Sequence, residues 1–241
     1  MKYISDEDLN FFAELNSDDL DILVEILTKN KDGEERLTEN LTLEEEFIQN
    51  QPDHDKYWDL IAAELQTFGG NSFANFLRGD KGVSYREILI DVSKKLKVNF
   101  NDKASTTIIE NNLFMKILSD SMEKMDPKEL KEFTDELDIK TTSFTSNAVI
   151  AALQIAVKKS GFLAYQIAVI VANSVAKQVI GRGLSLAGNA ALTKSLSIFA
   201  GPIGWIISTI WTLYDIAGPA YRVTIPAVIQ VAYLRKKSDS E

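Results

Sequence analysis

The sequence predicts an all-α protein in which an acidic, amphipathic helical N-terminal portion precedes an apolar C-terminal helical bundle. Three observations predict it. Apolar residues recur three and four positions apart, as in Leu20, Leu23, Val24 and Leu27 or Ile88, Leu89, Val92 and Leu96, which is the spacing of one helix face. Helix-start signatures punctuate residues 1–140. No stretch alternates apolar and polar side chains as a half-buried strand would.

"SDED" (5–8), "TLEE" (42–45), "SYRE" (84–87) and "TIIE" (107–110) each set Ser or Thr three residues before an acid. In that pattern the hydroxyl and the carboxylate each satisfy one orphan N–H of a helix start. "DPKE" (126–129) adds proline at the first helical position, where no N–H is needed. "NKDG" (30–33) is expected to close a small N-terminal helical unit, 1–33. An acidic helical domain follows over 34–140, with the glycines of "FGGNS" (68–72) and "RGDKG" (78–82) predicted to end helices in sharp turns.

Beyond Lys140 acids nearly vanish, and 141–241 reads as an apolar, basic helical region. Helices are predicted over 144–160, over 162–180 with Gly181 and Gly183 as the stop, over 184–200, over Pro202–Ala217, and from about Thr224 to the end. The segment "SLSIFAGPIGWIISTIWTLY" (195–214) carries no charge over 20 residues. Pro202 and Pro219 frame a shorter helix that overlaps it, Pro202–Ala217, and its 16 residues span roughly 24 Å, less than the ~30 Å hydrocarbon core of a bilayer. Asp215 lies in its last turn, and Trp205 sits mid-segment rather than at an end. The segment reads as a very apolar helix, not as a constitutive membrane span. Asn147, Gln154 and Lys158, and again Gln166, Asn173 and Lys177, sit at i, i+7 and i+11, so each helix should carry a narrow polar rail on an otherwise apolar circumference.

The net charge of −9 is unevenly distributed. Residues 1–140 hold 17 Lys and Arg against 32 Asp and Glu, giving −15, whereas 141–241 hold 9 against 3, giving +6. The acidic half would repel phosphates, so no nucleic-acid partner is expected. The chain has no cysteine, which removes disulfides and thiolate chemistry and fits a reducing compartment. Its N-terminus, "MKYISDEDLNFF", lacks the basic and apolar run of a secretory signal. A cytoplasmic setting is expected.

Two long stretches, "ELQTFGGNSFANFLRGDKGVSYREILIDVSKKLKV" (64–98) and "GPAYRVTIPAVIQVAYLRKK" (218–237), resemble the YaaW-like family of uncharacterised bacterial proteins. "YISDEDLNFFAELNSDDLDILVEILTKNKDG" (3–33) resembles the short domain that opens that family. The middle portion, about 35–140, is remotely similar to the ubiquinol–cytochrome c chaperone domain, a helical assembly factor for a respiratory membrane complex. The resemblance implies a helper that binds an apolar protein near a membrane, and it implies no catalytic residues.

The residues themselves point the same way. His54 is the sole histidine, so a zinc site or a histidine-based triad has no second ligand or base, and an exposed loop position is expected for it. "GRGLSLAG" (181–188) matches no phosphate-binding fingerprint. The "FGGNSFANFLRG" turn (68–79) is read as structural, with a ligand site as the alternative, in which free N–H groups of Gly69, Gly70, Asn71 and Ser72 with Arg78 would hold an anion. Glu64, Glu87 and Asp91 are the only carboxyls weighed for acid–base work. Thr224 is expected to cap the last helix and Arg222 to pair with an acid of the N-terminal half. No metal, cofactor or catalytic residue is predicted. The expected function is non-enzymatic: peripheral association with a membrane surface, at the inner face, or with an apolar protein client. Lys158, Lys159, Lys177, Arg235, Lys236 and Lys237 would meet anionic headgroups, and Trp205 and Trp211 would supply aromatic contact. The alternative is a soluble interaction or assembly-chaperone module whose apolar helices form its own core.

Overall fold

A computed structural model describes residues 1–30, 32–36, 39–72, 83–184 and 220–240, with only the backbone described at 71–72. The described residues contain no strand; a single bridge joins Lys29 and Glu35. The helices are α1 (Ser17–Thr28), α2 (Glu45–Asn50), α3 (Trp58–Ser72), α4 (Tyr85–Lys95), α5 (Thr106–Met122), α6 (Pro127–Glu136), α7 (Ser146–Lys159), α8 (Gly161–Ile180) and α9 (Tyr221–Ser238). The fold is all-α, as the periodicity predicts. The helices predicted over 184–200 and Pro202–Ala217 lie outside the described residues.

Two of the predicted capping boxes form. Ser84 and Glu87 cap α4 reciprocally, and Asp126 and Glu129 do the same for α6, with Pro127 at the first position. The other three motifs serve different ends. "SDED" precedes a short 3₁₀ helix, Asn10–Glu14, and its buried Asp6 reaches across the molecule to accept the Tyr85 N–H at 2.6 Å, supplying a second cap to α4. Thr42 bonds to Glu39 rather than starting a helix, and α2 begins at Glu45 without a side-chain cap. α5 starts at Thr106, so Glu110 of "TIIE" lies inside the helix, fully buried.

The predicted turn at "FGGNS" is instead the last turn of α3. A Cβ on Gly69 would lie 2.3 Å from Ile88 Cγ1, so the glycine lets α3 and α4 approach closely. Helical glycine costs about 1 kcal/mol relative to alanine, a cost offset by that packing. The stop after α8 is as predicted: Gly181 takes a left-handed conformation, φ +76°, and its N–H bonds to Lys177 O. α9 starts at Tyr221, three residues earlier than expected, and runs through Pro226. Thr224 does not cap it; its hydroxyl donates back to Ala220 O within the first turn.

α9 is the central helix. Every residue from Val223 to Leu234 is buried, and α9 packs most extensively against α8 and also against α1, α3, α4 and α5. Buried side chains from all three compositional stretches, such as Leu23, Phe114 and Val231, fall in one contiguous core. Of the described helices, α8 has the length and apolar composition to cross a bilayer, and 67% of its most apolar stretch is buried within the protein.

Candidate functional site

The basic C-terminal cluster is tied into the acidic half. Arg235 Nε bonds both oxygens of Glu110 at 3.2 and 3.1 Å, and its Nη2 donates to Asp8 O at 2.6 Å. Tyr85 Oη donates to Glu110 Oε1 at 2.7 Å, and the guanidinium lies 4.6 Å from the Phe11 ring centre. Burial raises the Glu110 pKa, while Arg235 and the Tyr85 hydroxyl pull it back. Burial also opposes the Arg235 charge, yet Glu110 more than restores it and the guanidinium pKa rises. Lys237 pairs with Asp19, and Lys236 is half-buried. Arg235 and Lys237 are therefore placed in internal ion pairs, not at the free surface where the sequence reading put them. A third such link was not anticipated: Arg182, just after α8, bonds Asp21 at 2.6 Å and Glu25 at 2.7 Å on α1. These three residues staple the halves together, a task the sequence reading assigned to Arg222.

Lys158, Lys159 and Lys177 behave differently. All three are exposed, and none makes an ion pair or hydrogen bond among the described residues. Lys158 and Lys159 form the last turn of α7, and Ser160 alone separates them from α8, which it caps by accepting from Leu163 N. At this corner Ile155 is 57% exposed and Phe162 is 55% exposed. The α7 rail is exposed throughout, at Asn147, Gln154 and Lys158. The α8 rail is not: Asn173 is buried and accepts from Leu184 N at 3.0 Å, holding down the chain after the helix. Trp205, Trp211 and Arg78 lie outside the described residues, as do the side chains of Asn71 and Ser72. Gly69 and Gly70 are buried and helical, and the rest of the anion-binding turn expected with them lies outside the described residues.

The carboxyls weighed for acid–base work have separate tasks. Glu87 caps α4. Asp91 bonds to the Tyr221 hydroxyl; burial raises the Asp91 pKa, and it pushes that of Tyr221 to about 12. Glu64 is fully buried, with Oε1 accepting from Asn40 N at 3.2 Å and Oε2 without a partner among the described residues. Burial pushes its pKa up to about 7, with Glu39 and Glu44 adding to the rise. His54 is buried rather than loop-exposed. Its Nδ1 meets the Tyr57 hydroxyl and its Nε2 lies 3.4 Å from Asp21, because the 3₁₀ turn His54–Tyr57 packs against α1. That bond, with Arg182 beside it, holds Asp21 down at about 2. Among the described residues no group of three or more His, Asp or Glu is placed to hold a metal ion.

The pairing of Arg235 and Arg182 escaped the sequence reading for a physical reason. A lone arginine in "LRKK" or "GRG" looks the same whether it is solvated or paired. The acids they meet lie 125 and 161 residues away along the chain.

Comparison with known proteins fits this architecture. Residues 3–37 match a family model described as a domain of unknown function (DUF3944), and residues 53–229 match the ubiquinol-cytochrome C chaperone family. The second match starts later than the sequence resemblance suggests and runs on through α7 and α8 into α9. The chain is 54% identical over 239 residues to a UPF0174 protein of Helicobacter pylori strain J99, covering 99% of this chain and 94% of that one. It is 35% identical over 241 residues to the UPF0174 protein YaaW of Escherichia coli K12, covering 98% and 96%. No solved structure matches. With relatives this similar over nearly its whole length, the chain belongs to the UPF0174 family and, over residues 53–229, to the ubiquinol-cytochrome C chaperone family.

Proposed function

We propose that this is a non-enzymatic, chaperone-like helical protein that associates peripherally with a membrane surface or an apolar client through the exposed part of its C-terminal helices. The proposed setting is the cytoplasm, at the inner face of the membrane. The chaperone family match supports the class. The observation that carries the contact is the α7–α8 corner, where Ile155 and Phe162 stand exposed beside Lys158 and Lys159, which have no ion-pair partner among the described residues. Folded proteins expose single apolar residues freely, but two large ones flanking two unneutralised cations form a surface with both apolar and electrostatic affinity.

A second reading, a soluble interaction module, is favoured by the burial of α8 and α9. Their apolar faces fill the protein's own core, and they need no lipid. Hydrogen exchange of the full chain, with and without anionic vesicles or an apolar helical peptide, separates the readings. The proposal expects added protection over 146–162, against a core at 163–179 that is already slow. Exchange unchanged by both additions would overturn it.

A further inference from the structure

The proposed peripheral role leaves open which surface is met and by which side chains; the inference here rests on that role and fixes both. We propose that the α7–α8 corner seats on an anionic lipid bilayer, with Phe162 and Ile155 entering the boundary between headgroups and acyl chains and Lys158 and Lys159 at the lipid phosphates.

Three observations carry this. The corner is open to solvent: Gly161 and Phe162 are exposed, and a Cβ built on Gly161 would meet nothing within 4 Å. A client helix is normally gripped in an apolar groove, whereas an exposed, unobstructed turn suits a flat, deformable surface. The charge is also of one sign. No acid occurs between Asp138 and Asp215 in the sequence, and neither lysine has an ion-pair partner among the described residues. Lysines in the last turn of α7 do complement its C-terminal carbonyls, which accounts for their sign. It does not account for the exposure of Ile155 and Phe162 next to them.

The third observation is selective. Arg235 and Lys237, which would otherwise serve the same purpose, are spent on Glu110 and Asp19. The corner lysines are left available. Their long aliphatic stems can lie along the lipid while the ammonium groups reach the phosphates, so apolar and charged contacts form in one geometry.

The absence of cysteine in the chain allows one site to be labelled at a time. In the full-length protein, Phe162→Cys carrying an environment-sensitive NBD fluorophore is titrated with vesicles of phosphatidylcholine containing phosphatidylglycerol, and with phosphatidylcholine alone. The same label at Ile108→Cys, exposed on α5, serves as the control, and thermal melts confirm that each variant folds. The expected result is a blue shift at position 162 with anionic vesicles only, reversed by salt, with no shift at position 108. Lys158→Gln/Lys159→Gln should weaken vesicle binding by about tenfold or more. An equal shift with phosphatidylcholine alone would overturn the anionic assignment. Sedimentation of the protein with anionic vesicles while position 162 stays unshifted would overturn the corner and leave the broader function standing. No binding to vesicles, with binding to an apolar peptide, would overturn the membrane as the partner and again leave the broader function. Binding to neither would remove both.

Discussion

Glu64 shows how one buried carboxyl shapes the response of the fold to pH. One oxygen accepts from Asn40 N and the other has no partner among the described residues, so ionisation would leave half the charge unsolvated. Its pKa rises from an ordinary 4.5 to about 7 in the folded chain. Below 4.5 the group is protonated in both folded and unfolded chains and costs nothing. As pH rises from 4.5 to about 7 the unfolded chain releases the proton first, so stability falls across that window and then levels off. At roughly 1.4 kcal/mol per unit the total loss is about 3 kcal/mol. Glu64→Gln keeps an oxygen for Asn40 N and removes the titration. Urea denaturation is expected to find the variant more stable than wild type at pH above about 7 and little different at acid pH. A deficit of equal size at every pH would show that the second oxygen has a partner that the amide cannot replace. The sequence placed Glu64 in a list with Glu87 and Asp91 but could not tell them apart. Carboxyls are abundant in this half, and burial depends on which face of α3 meets the core.

At the scale of elements, legibility followed the range of the forces involved. Ser84–Glu87 and Asp126–Glu129 could be read directly because a capping box is complete within four residues. The same pattern at Thr107–Glu110 misled, since Glu110 is drawn into the core by Tyr85 and Arg235, which arrive on other helices. That joint ties α5 to α9 and makes a sharp prediction. Arg235→Met preserves the apolar stem beside Phe11 but leaves the Glu110 charge buried and unpaired, a loss of about 3–5 kcal/mol. Adding Glu110→Gln removes the stranded charge, so the double variant should recover a substantial part of the loss in urea melts. The deficit of Arg235→Met alone should also shrink as pH falls, because Glu110, already raised in pKa by burial, then takes up a proton. A double variant as unstable as the sum of the two single variants would mean that the residues act independently.

Across the whole molecule, the charge split of −15 against +6 has two components that the sequence superimposes. Part of it is internal: Arg182, Arg235 and Lys237 bind Asp21, Glu25, Glu110 and Asp19, drawing the basic region onto the acidic one. Another part, at Lys158, Lys159 and Lys177, stays outward. Composition alone marks a boundary near Lys140, but α9, from its C-terminal side, packs against α1, α3, α4 and α5. Its buried Val223, Ile225, Val228, Ile229, Val231 and Leu234 are each worth ~1.5–3 kcal/mol. Together they rival the ~5–15 kcal/mol by which a domain is stable at all. Residues 1–140 expressed alone should therefore lose cooperativity. Urea unfolding followed by far-ultraviolet circular dichroism is expected to give one steep transition for the full chain, and for the fragment a shallow slope with weak near-ultraviolet signal. A fragment that unfolds as steeply, and at the same midpoint, would show that the acidic half completes its own core and that α9 only rests against it.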